Sequence, residues 1–558
     1  MESNMKKLAA VVTAMCSLVS VAAEPVLRVG IITDTHVTPK KSSCKLLKEA
    51  LTLFKMHKVD MVVNTGDIAD HYYEKGYRHY RDTVNEVFAD VKDKPKEIFV
   101  YANHDLVDRT KESQWEVFKD VKKFLEIPNE PYDEIKLKGY TFLVMPQVMD
   151  TAKYTAMLDK AVKENPGKPI FVFDHVPAFN TVYDSATWGE RKRRRILDKY
   201  PQAIQISGHV HGTLTNELSI WQGNFTAVNA GGLAYWHAIA IGCEPAVKYS
   251  DMAMILEIYP EKLVFRRFFS TSKEEYSAND PWIVPLPFDK KTAPYNYNRR
   301  KAASTAPEFP EKSSIKVKQK AGKIDFVFPA AQHKDGVYNY AIELFRKVDG
   351  NWKKWAQRDL MGQFMLPASQ RPVTERQSFS IGYFDAGNEY KLVITPVNFF
   401  GRSGKAISVE FPVKEKKSDT VLFESKNPAA DCKFMSGLAG GKPFPLDSNG
   451  FFTHNTHNGR LEFPGNVWEG KRGTRFRFTV DMHLVQCEDN PWTLVLRVDG
   501  STRNANDRIP TAGGDSGLQR YVIEFTKRND AFNYYFLIRE GRKGKIKFDY
   551  VKIERIDK

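Results

Sequence analysis

The stretch Leu27-Arg28-Val29-Gly30-Ile31-Ile32-Thr33-Asp34-Thr35-His36 decides how the first half of the chain reads. Its apolar, β-branched opening from Leu27 to Thr33 predicts a buried strand, which runs directly into an aspartate and a histidine two residues apart. In an extended segment a period of two points both side chains to one side, so Asp34 and His36 can reach one metal region. Four more clusters follow: Gly66-Asp67-Ile68-Ala69-Asp70, Asn103-His104-Asp105, Asp174-His175-Val176-Pro177 and Gly208-His209-Val210-His211-Gly212. Each comes after a predicted strand, at Met61 to Asn64, Glu97 to Tyr101, Pro169 to Phe173 and Ala203 to Ser207. Amphipathic helical stretches, Cys44 to His57 and Tyr77 to Lys92, alternate with the strands, the pattern of a sheet layered with helices. Loops leaving the carboxyl edge of such a sheet converge in space. A lone Asp-x-His is more often a turn aspartate or a satisfied structural histidine than a ligand. Five imidazoles with two carboxylates and an amide, all at strand ends, would be costly to bury without a partner, and together they mark a metal site.

In combination, Asp-x-His, Gly-Asp-x-x-Asp, Asn-His-Asp, a later His and Gly-His-x-His resemble the pattern of the calcineurin-like metallophosphoesterase superfamily over nearly all of residues 27 to 240. The resemblance implies an α/β/β/α sandwich around two divalent transition-metal ions, Mn, Fe or Zn, since N and O ligands suit all three. It implies that Asp34, His36, Asp67 and His211 hold one ion, that Asp67, Asn103, His175 and His209 hold the other, and that Asp67 bridges them. His104 is implied as the group over the substrate phosphate that protonates or stabilises the leaving oxygen, with Asp105 orienting it. The chemistry agrees: two ions about 3.5 to 4 Å apart lower the pKa of a shared water and hold the phosphoryl oxygens, while a leaving alkoxide needs a proton.

Two positions depart from the family pattern. Ala102 stands where Gly is usual, which is tolerable if its φ is negative. Asp174 stands where a second His is common, and either supports an imidazole from behind or lies in a solvated turn. Asp70 completes Gly-Asp-x-x-Asp, a form resembling the cyclic-nucleotide phosphodiesterase branch, and with His71 is a substrate-binding candidate. Tyr72, Trp188, Tyr235 and Trp236 lie near the motifs and either line a pocket or pack in the core. The run Arg191-Lys192-Arg193-Arg194-Arg195 reads as a solvated helix face rather than a polyanion track, so no specific nucleic-acid site is assigned to it.

A length of 558 residues suggests three or four domains at about 150 residues each. With 42% apolar and 27% charged residues, wholesale disorder is excluded. Lysine and arginine total 83 against 68 acidic residues, and the resulting net charge of +15 favours anionic partners. Lys6 and Lys7, the short apolar run Leu8 to Ala23 and the small residues Val21-Ala22-Ala23 make residues 1–23 read as a signal peptide. The mature chain is therefore expected to be exported, to a periplasm, the cell surface or the medium, and no later stretch approaches the roughly 20 apolar residues of a membrane helix. Five cysteines exclude a disulfide-dense scaffold; Cys44 with Cys243 and Cys432 with Cys487 stand open as pairs, buried free thiols being the alternative.

Residues 24–272 read as the metallophosphoesterase domain and 273–311, rich in Pro, Asn, Lys and Ser, as a connector that wraps it and then leaves. Residues 312–415 and 416–558 read as two all-β sandwiches. Tyr390 to Gly404 resembles the penultimate strand and turn of fibronectin type III domains. Lys547 to Glu554 is similar to the last strand of jelly-roll modules that often bind carbohydrate, for which Trp468 and Trp492 are either sugar-stacking or core residues. The expectation is thus an exported multidomain enzyme, an α/β/β/α sandwich followed by two all-β sandwich domains, that cleaves a phosphodiester with a metal-activated hydroxide. A broad-specificity phosphomonoesterase and a surface glycan-binding protein with an inactive phosphoesterase-like domain are the alternatives.

Overall fold

The computed structural model describes residues 24–71, 74–105, 111–126, 129–235, 251–320, 323–362, 376–381, 387–413, 420–436, 441–454, 458–464, 467, 474–486, 493–498, 503–510, 515–526, 534–539 and 544–556. Two compact units divide them, the first comprising residues 24 to Leu214, Ser219 to Tyr235 and 251 to Tyr297.

In the first unit, short strands alternate with helices: β1 (Leu27–Ile32), α1 (Lys45–Met56), β2 (Met61–Asn64), α2 (Glu74–Val87), β3 (Lys96–Phe99) and α3 (Lys111–Leu125). The hairpin β4 (Asp133–Leu137) and β5 (Tyr140–Val144) leads into α4 (Thr151–Glu164), β6 (Ile170–Phe173), α5 (Ser185–Trp188), α6 (Arg191–Leu197) and β7 (Ala203–Ser207). Then come β8 (Ile220–Gln222), β9 (Thr226–Asn229), β10 (Met252–Ile258), β11 (Lys262–Phe269), β12 (Glu275–Tyr276) and β13 (Trp282–Pro285). One sheet runs β12-β11-β10-β1-β2-β3, with β13 also on β11, and the other runs β4-β5-β6-β7-β9-β8. Strands β1, β2 and β3 are mutually parallel, as are β5, β6, β7 and β9.

Side-chain alternation turns these strands into layers. Val29, Ile31, Met61, Val63 and Ile98 of the first sheet meet Phe142, Val144, Phe171, Phe173, Ile204 and Ile206 of the second in one buried core. On the outer face of the first sheet, Ile32, Val62 and Phe99 pack against Leu47, Leu51 and Phe54 of α1 and Tyr77, Tyr80 and Val84 of α2. Leu143, Ile170 and Val172 do the same on the other outer face, against Tyr154, Leu158 and Ala161 of α4. The result is the expected α/β/β/α sandwich, each buried large apolar side chain stabilising it by about 1.5 to 3 kcal/mol. Helix α4 begins where Asp150 accepts hydrogen bonds from the Ala152 and Lys153 amides at 2.9 and 3.1 Å.

The segment from residue 273, expected to wrap this unit and then leave it, pairs with it over its first part. Strands β12 and β13 pair with β11, and Trp282 and Val284 are buried in the central core. Prolines suggested a linker, but Pro285 closes a strand on which outward residues alternate with buried ones, a place where proline is tolerated. Strand β10 is buried along its whole length and so lacks the alternation that marks a half-exposed strand.

The second unit is all antiparallel sheet apart from short helical turns. A three-stranded sheet (Lys316–Lys320, Lys323–Pro329, Arg376–Ile381) and a four-stranded sheet (Asn351–Met361, Asn339–Val348, Glu389–Val397, Ile407–Pro412) supply Phe326, Tyr340, Leu344, Tyr390 and Leu392 to one core. Two five-stranded sheets follow, with a separate core that includes Phe434, Phe476, Phe478, Phe548 and Val551. Cys44 and Cys432 are buried free thiols, while Cys243 and Cys487 lie outside the described residues. So do residues 1–23, Tyr72, Trp236, Trp468 and Trp492. Among the described residues no helix is long and apolar enough to cross a membrane.

Candidate metal centre

All five motif clusters sit at the carboxyl ends of parallel strands: Asp34 and His36 after β1, Asp67 after β2, Asn103 to Asp105 after β3, His175 after β6, and His209 with His211 after β7. Both sheets therefore deliver ligands to one end of the sandwich. The backbone there is not extended, as the period-of-two argument assumed. Asp34, His36, Asp67, His209 and His211 have φ of 51°, 42°, 50°, 69° and 44°. Left-handed non-glycine residues each cost about 1 kcal/mol or more. Neighbouring loops hold them in place: the Asp34 amide donates to the Gly66 carbonyl at 2.9 Å, the His36 amide to the Asp67 carbonyl at 3.0 Å, and the Gly208 amide to the His175 carbonyl at 2.9 Å. Gly66, at φ 114°, admits no side chain, because a Cβ there would lie 2.6 Å from His175 Nδ1. Ala102, by contrast, is not among the positive-φ residues and its methyl is buried without conflict.

Three ligand groups result among the described residues; two of them share Asp67, and His36, Asp70 and His104 form the third. Asp34, His36, Asp67 and His211 form the first and Asp67, His175 and His209 the second, the ligand atoms within each lying within 4.8 Å of one another. Metal bonds of about 2.1 Å place neighbouring ligand atoms roughly 3 to 4 Å apart, so each group has the dimensions of a coordination shell. His36 Nε2 faces His211 Nε2 at 3.2 Å, and His211 Nε2 lies 3.0 Å from Asp34 Oδ1. His175 Nε2 is 3.3 Å from Asp67 Oδ2. Close as they are, Asp34 Oδ1 and His175 Nε2 are buried without a directed hydrogen bond, and so is Asn103 Oδ1. Buried polar atoms normally find partners, and a carboxylate oxygen, an imidazole nitrogen and an amide oxygen left without one are donor types that bind cations. The opposite ring nitrogens are already anchored: His175 Nδ1 donates to the Thr65 carbonyl at 2.9 Å and His211 Nδ1 to the Tyr235 carbonyl at 3.0 Å, leaving Nε2 as the ligand atom in each case.

Electrostatics make the same point. Burial alone would push Asp34 up, yet His211, His175 and His36 together hold its carboxylate well below the usual range. Burial and the neighbouring Asp67 carboxylate push Asp105 up to about 8. Burial also lowers His209 to about 4, reinforced by His175. His175 is opposed by burial, but Asp67 and Asp34 raise it from 6.5 to about 9. In the metal-free protein the His175 proton therefore contributes stability that is fully present below pH 6.5 and is lost as pH rises through about 9. A metal must displace that proton, so affinity is expected to climb across the same window. Calorimetric titration at pH 7 in two buffers of different ionisation heat should show net proton release on metal binding; a buffer-independent heat would contradict this protonation state.

Asp105 does not orient His104. Its Oδ1 accepts from the Ile68 and Ala69 amides and the Tyr77 hydroxyl, and its Oδ2 from the Ala102 amide, so it fixes the loop that carries Asp67. His104 Nδ1 instead donates to the Asp70 carbonyl at 2.6 Å, and the Asp70 carboxylate lies 3.9 Å from the same nitrogen and 3.4 Å from His36 Nδ1. The Asp70 side chain is thus turned towards two imidazoles, and His71 stacks on His104 with ring centroids 5.8 Å apart. Asp174 is neither a support for an imidazole nor solvated. It is fully buried and accepts from Arg193 Nε at 2.9 Å and from the Tyr154 hydroxyl at 3.1 Å. Arg193 also donates to the Pro146 and Gln147 carbonyls at 3.1 and 2.8 Å. The basic run is therefore not the wholly solvated helix face that was expected: Arg193 is buried, Arg194 pairs with Asp198 and lies 4.4 Å from the Trp221 ring, and Arg191 lies 3.6 Å from the Phe179 ring. The signal was present in the sequence, since Arg193 shares a helical face with Ile196 and Leu197.

Residues 27–213 match the family model described as Calcineurin-like phosphoesterase. This segment is a calcineurin-like metallophosphoesterase domain, carrying the buried ligand cluster of a phosphoric ester hydrolase. No curated protein matches the chain. Among solved structures it is similar to a dimetal phosphatase from Danio rerio, at 13% identity over 44% of this chain and 96% of that one, with a TM-score of 0.29. It is also similar to a purple acid phosphatase from yellow lupin (Lupinus luteus) seeds, at 15% identity over 46% of this chain and 53% of that one, with a TM-score of 0.34.

Proposed function

We propose that this protein is an exported phosphodiesterase with two divalent transition-metal ions bridged by Asp67. The observation that carries the reading is that Asp67 belongs both to the group with Asp34, His36 and His211 and to the group with His175 and His209. One ion would be held by Asp34, His36, Asp67 and His211, the other by Asp67, Asn103, His175 and His209. Mn, Fe and Zn all suit these donors. When bound, such ions polarise the phosphoryl oxygens and lower the pKa of water.

The protein's own groups do the rest. The Asp70 carbonyl fixes the His104 ring through Nδ1, so that Nε2 is the atom available to the substrate. The Asp70 carboxylate lies 3.9 Å from Nδ1 of the same ring. As the oxygen of a water that has released one proton to solvent bonds to phosphorus and the ester P–O bond breaks, the His104 Nε2 proton would pass to the leaving oxygen. The preference for a diester follows the Gly-Asp-x-x-Asp form; a phosphomonoesterase would use the same residues. Residues 1–23 are read as a signal peptide, the three- and four-stranded sheets as a fibronectin type III-like module, and the two five-stranded sheets as a jelly-roll-like module for a glycan.

Hydrolysis of bis(p-nitrophenyl) phosphate against p-nitrophenyl phosphate by the metal-loaded protein tests the reading; faster monoester turnover would replace the diester assignment. His104→Ala should keep its metal and lose about 10²- to 10⁴-fold in kcat on an alkyl ester, with a much smaller loss on p-nitrophenyl esters, whose leaving group needs no proton. Equal losses on both would remove His104 from proton transfer.

A further inference from the structure

We propose that Trp188 determines specificity by stacking on the organic group of the phosphate ester, selecting substrates in which that group is a planar ring. This rests on the phosphoesterase reading above and adds the substrate class. Trp188 is 52% exposed, although tryptophan is among the more buried residue types on average. Its ring centroid lies 6.1 Å from that of His209, at an interplanar angle of 84°, on the rim of the second ligand group. Across the first group, the Tyr235 ring lies 4.3 Å from His211 and 5.0 Å from His36.

The segment that presents Trp188 is built to hold it still. The Phe179 amide donates to the Glu190 carbonyl at 3.1 Å and the Glu190 amide to the Pro177 carbonyl at 2.9 Å, closing the loop at its base. Inside it, the Thr181 amide donates to Ser185 Oγ at 2.8 Å and the Trp188 amide to the Asp184 carbonyl at 3.1 Å. Asp184 is left-handed at φ 55°, and a Cβ on Gly189 would lie 2.4 Å from the Ser185 carbonyl oxygen and 2.9 Å from Phe179 Cα. A strained residue and a position open only to glycine flank a tryptophan that leaves about half of its surface exposed. Core packing alone therefore does not account for the arrangement; a preformed aromatic face beside the second ligand group does. Such a face gains from offset stacking on a ring what it does not gain from a chain of equal area. Aryl and nucleobase esters both carry a ring, and the substrates below separate them.

The test compares wild type, Trp188→Ala and Trp188→Phe, all metal-loaded, on bis(p-nitrophenyl) phosphate, a thymidine dinucleotide and the ringless diester glycerophosphocholine. Trp188→Ala is expected to lose about tenfold in kcat/KM on ring-bearing esters, mainly through KM, and less than about twofold on the ringless one, with most of the loss restored in Trp188→Phe. The ring ester that loses more names the source. Equilibrium binding of phenylphosphonate and methylphosphonate gives a readout without turnover: the phenyl preference should be about tenfold in wild type and near one in Trp188→Ala. Equal losses on all three esters, an unchanged phenyl preference, or loss of metal from Trp188→Ala would overturn the proposal. Absence of turnover by loaded wild type, with the phenyl preference intact, would instead overturn the phosphoesterase reading.

Discussion

Asp67→Asn should reduce hydrolysis by at least about a thousandfold and bring bound metal to one ion per chain or fewer. Asp67 Oδ1 accepts the His104 amide at 3.0 Å, and Oδ2 lies 3.3 Å from His175 Nε2 and 3.9 Å from His36 Nε2. An asparagine of the same size has one oxygen and one NH2. Whichever way the amide turns, one of the two directions is served by a donor that cannot bind a cation, and the negative charge is gone in both. The loops should survive the change, because their backbone pairing runs through the Asp34 and Gly66 main chain rather than the Asp67 side chain. Elemental analysis and far-UV circular dichroism on the same sample separate loss of metal from loss of fold. An Asp67→Asn protein that retains two ions and most of its activity would show that the carboxylate does not bridge.

The largest effect on stability is expected away from the metal ligands. Arg193→Met should destabilise the protein by about 3 to 5 kcal/mol, because it leaves the Asp174 carboxylate buried without its cation. It also frees the Pro146 and Gln147 carbonyls that Arg193 ties down. Adding Asp174→Asn to that variant removes the uncompensated charge and should recover part of the loss. Arg195→Met, in the same basic run but exposed, should change stability by no more than about 0.5 kcal/mol. Urea unfolding of the four proteins decides the matter, and indistinguishable midpoints for Arg193→Met and Arg195→Met would refute the buried pair.

The centre was largely legible in the sequence because ligand atoms are polar groups placed where strands end. The β2 and β7 boundaries also agree with the apolar runs that marked them. What escaped is backbone and pairing. Alternation in Asp34-Thr35-His36 suggested an extended chain, whereas the ligands converge through left-handed turns held by Gly66 and Asp67 carbonyls from the next loop. Asp105 follows His104 in sequence, but the carbonyl that fixes the ring belongs to Asp70, a residue on another loop. The face that Arg193 shares with Ile196 and Leu197 signalled its burial but not its partner Asp174, and Trp282, also buried, lay among prolines. Such partners are set by tertiary neighbours, which local pattern does not encode.

The central claim is a pair of ions sharing Asp67, and its most direct test is to titrate metal into the metal-free protein while following hydrolysis of bis(p-nitrophenyl) phosphate. Activity should rise until two equivalents are bound per chain and then stop. Full activity at one equivalent, or binding of no divalent metal at all, would contradict the shared centre.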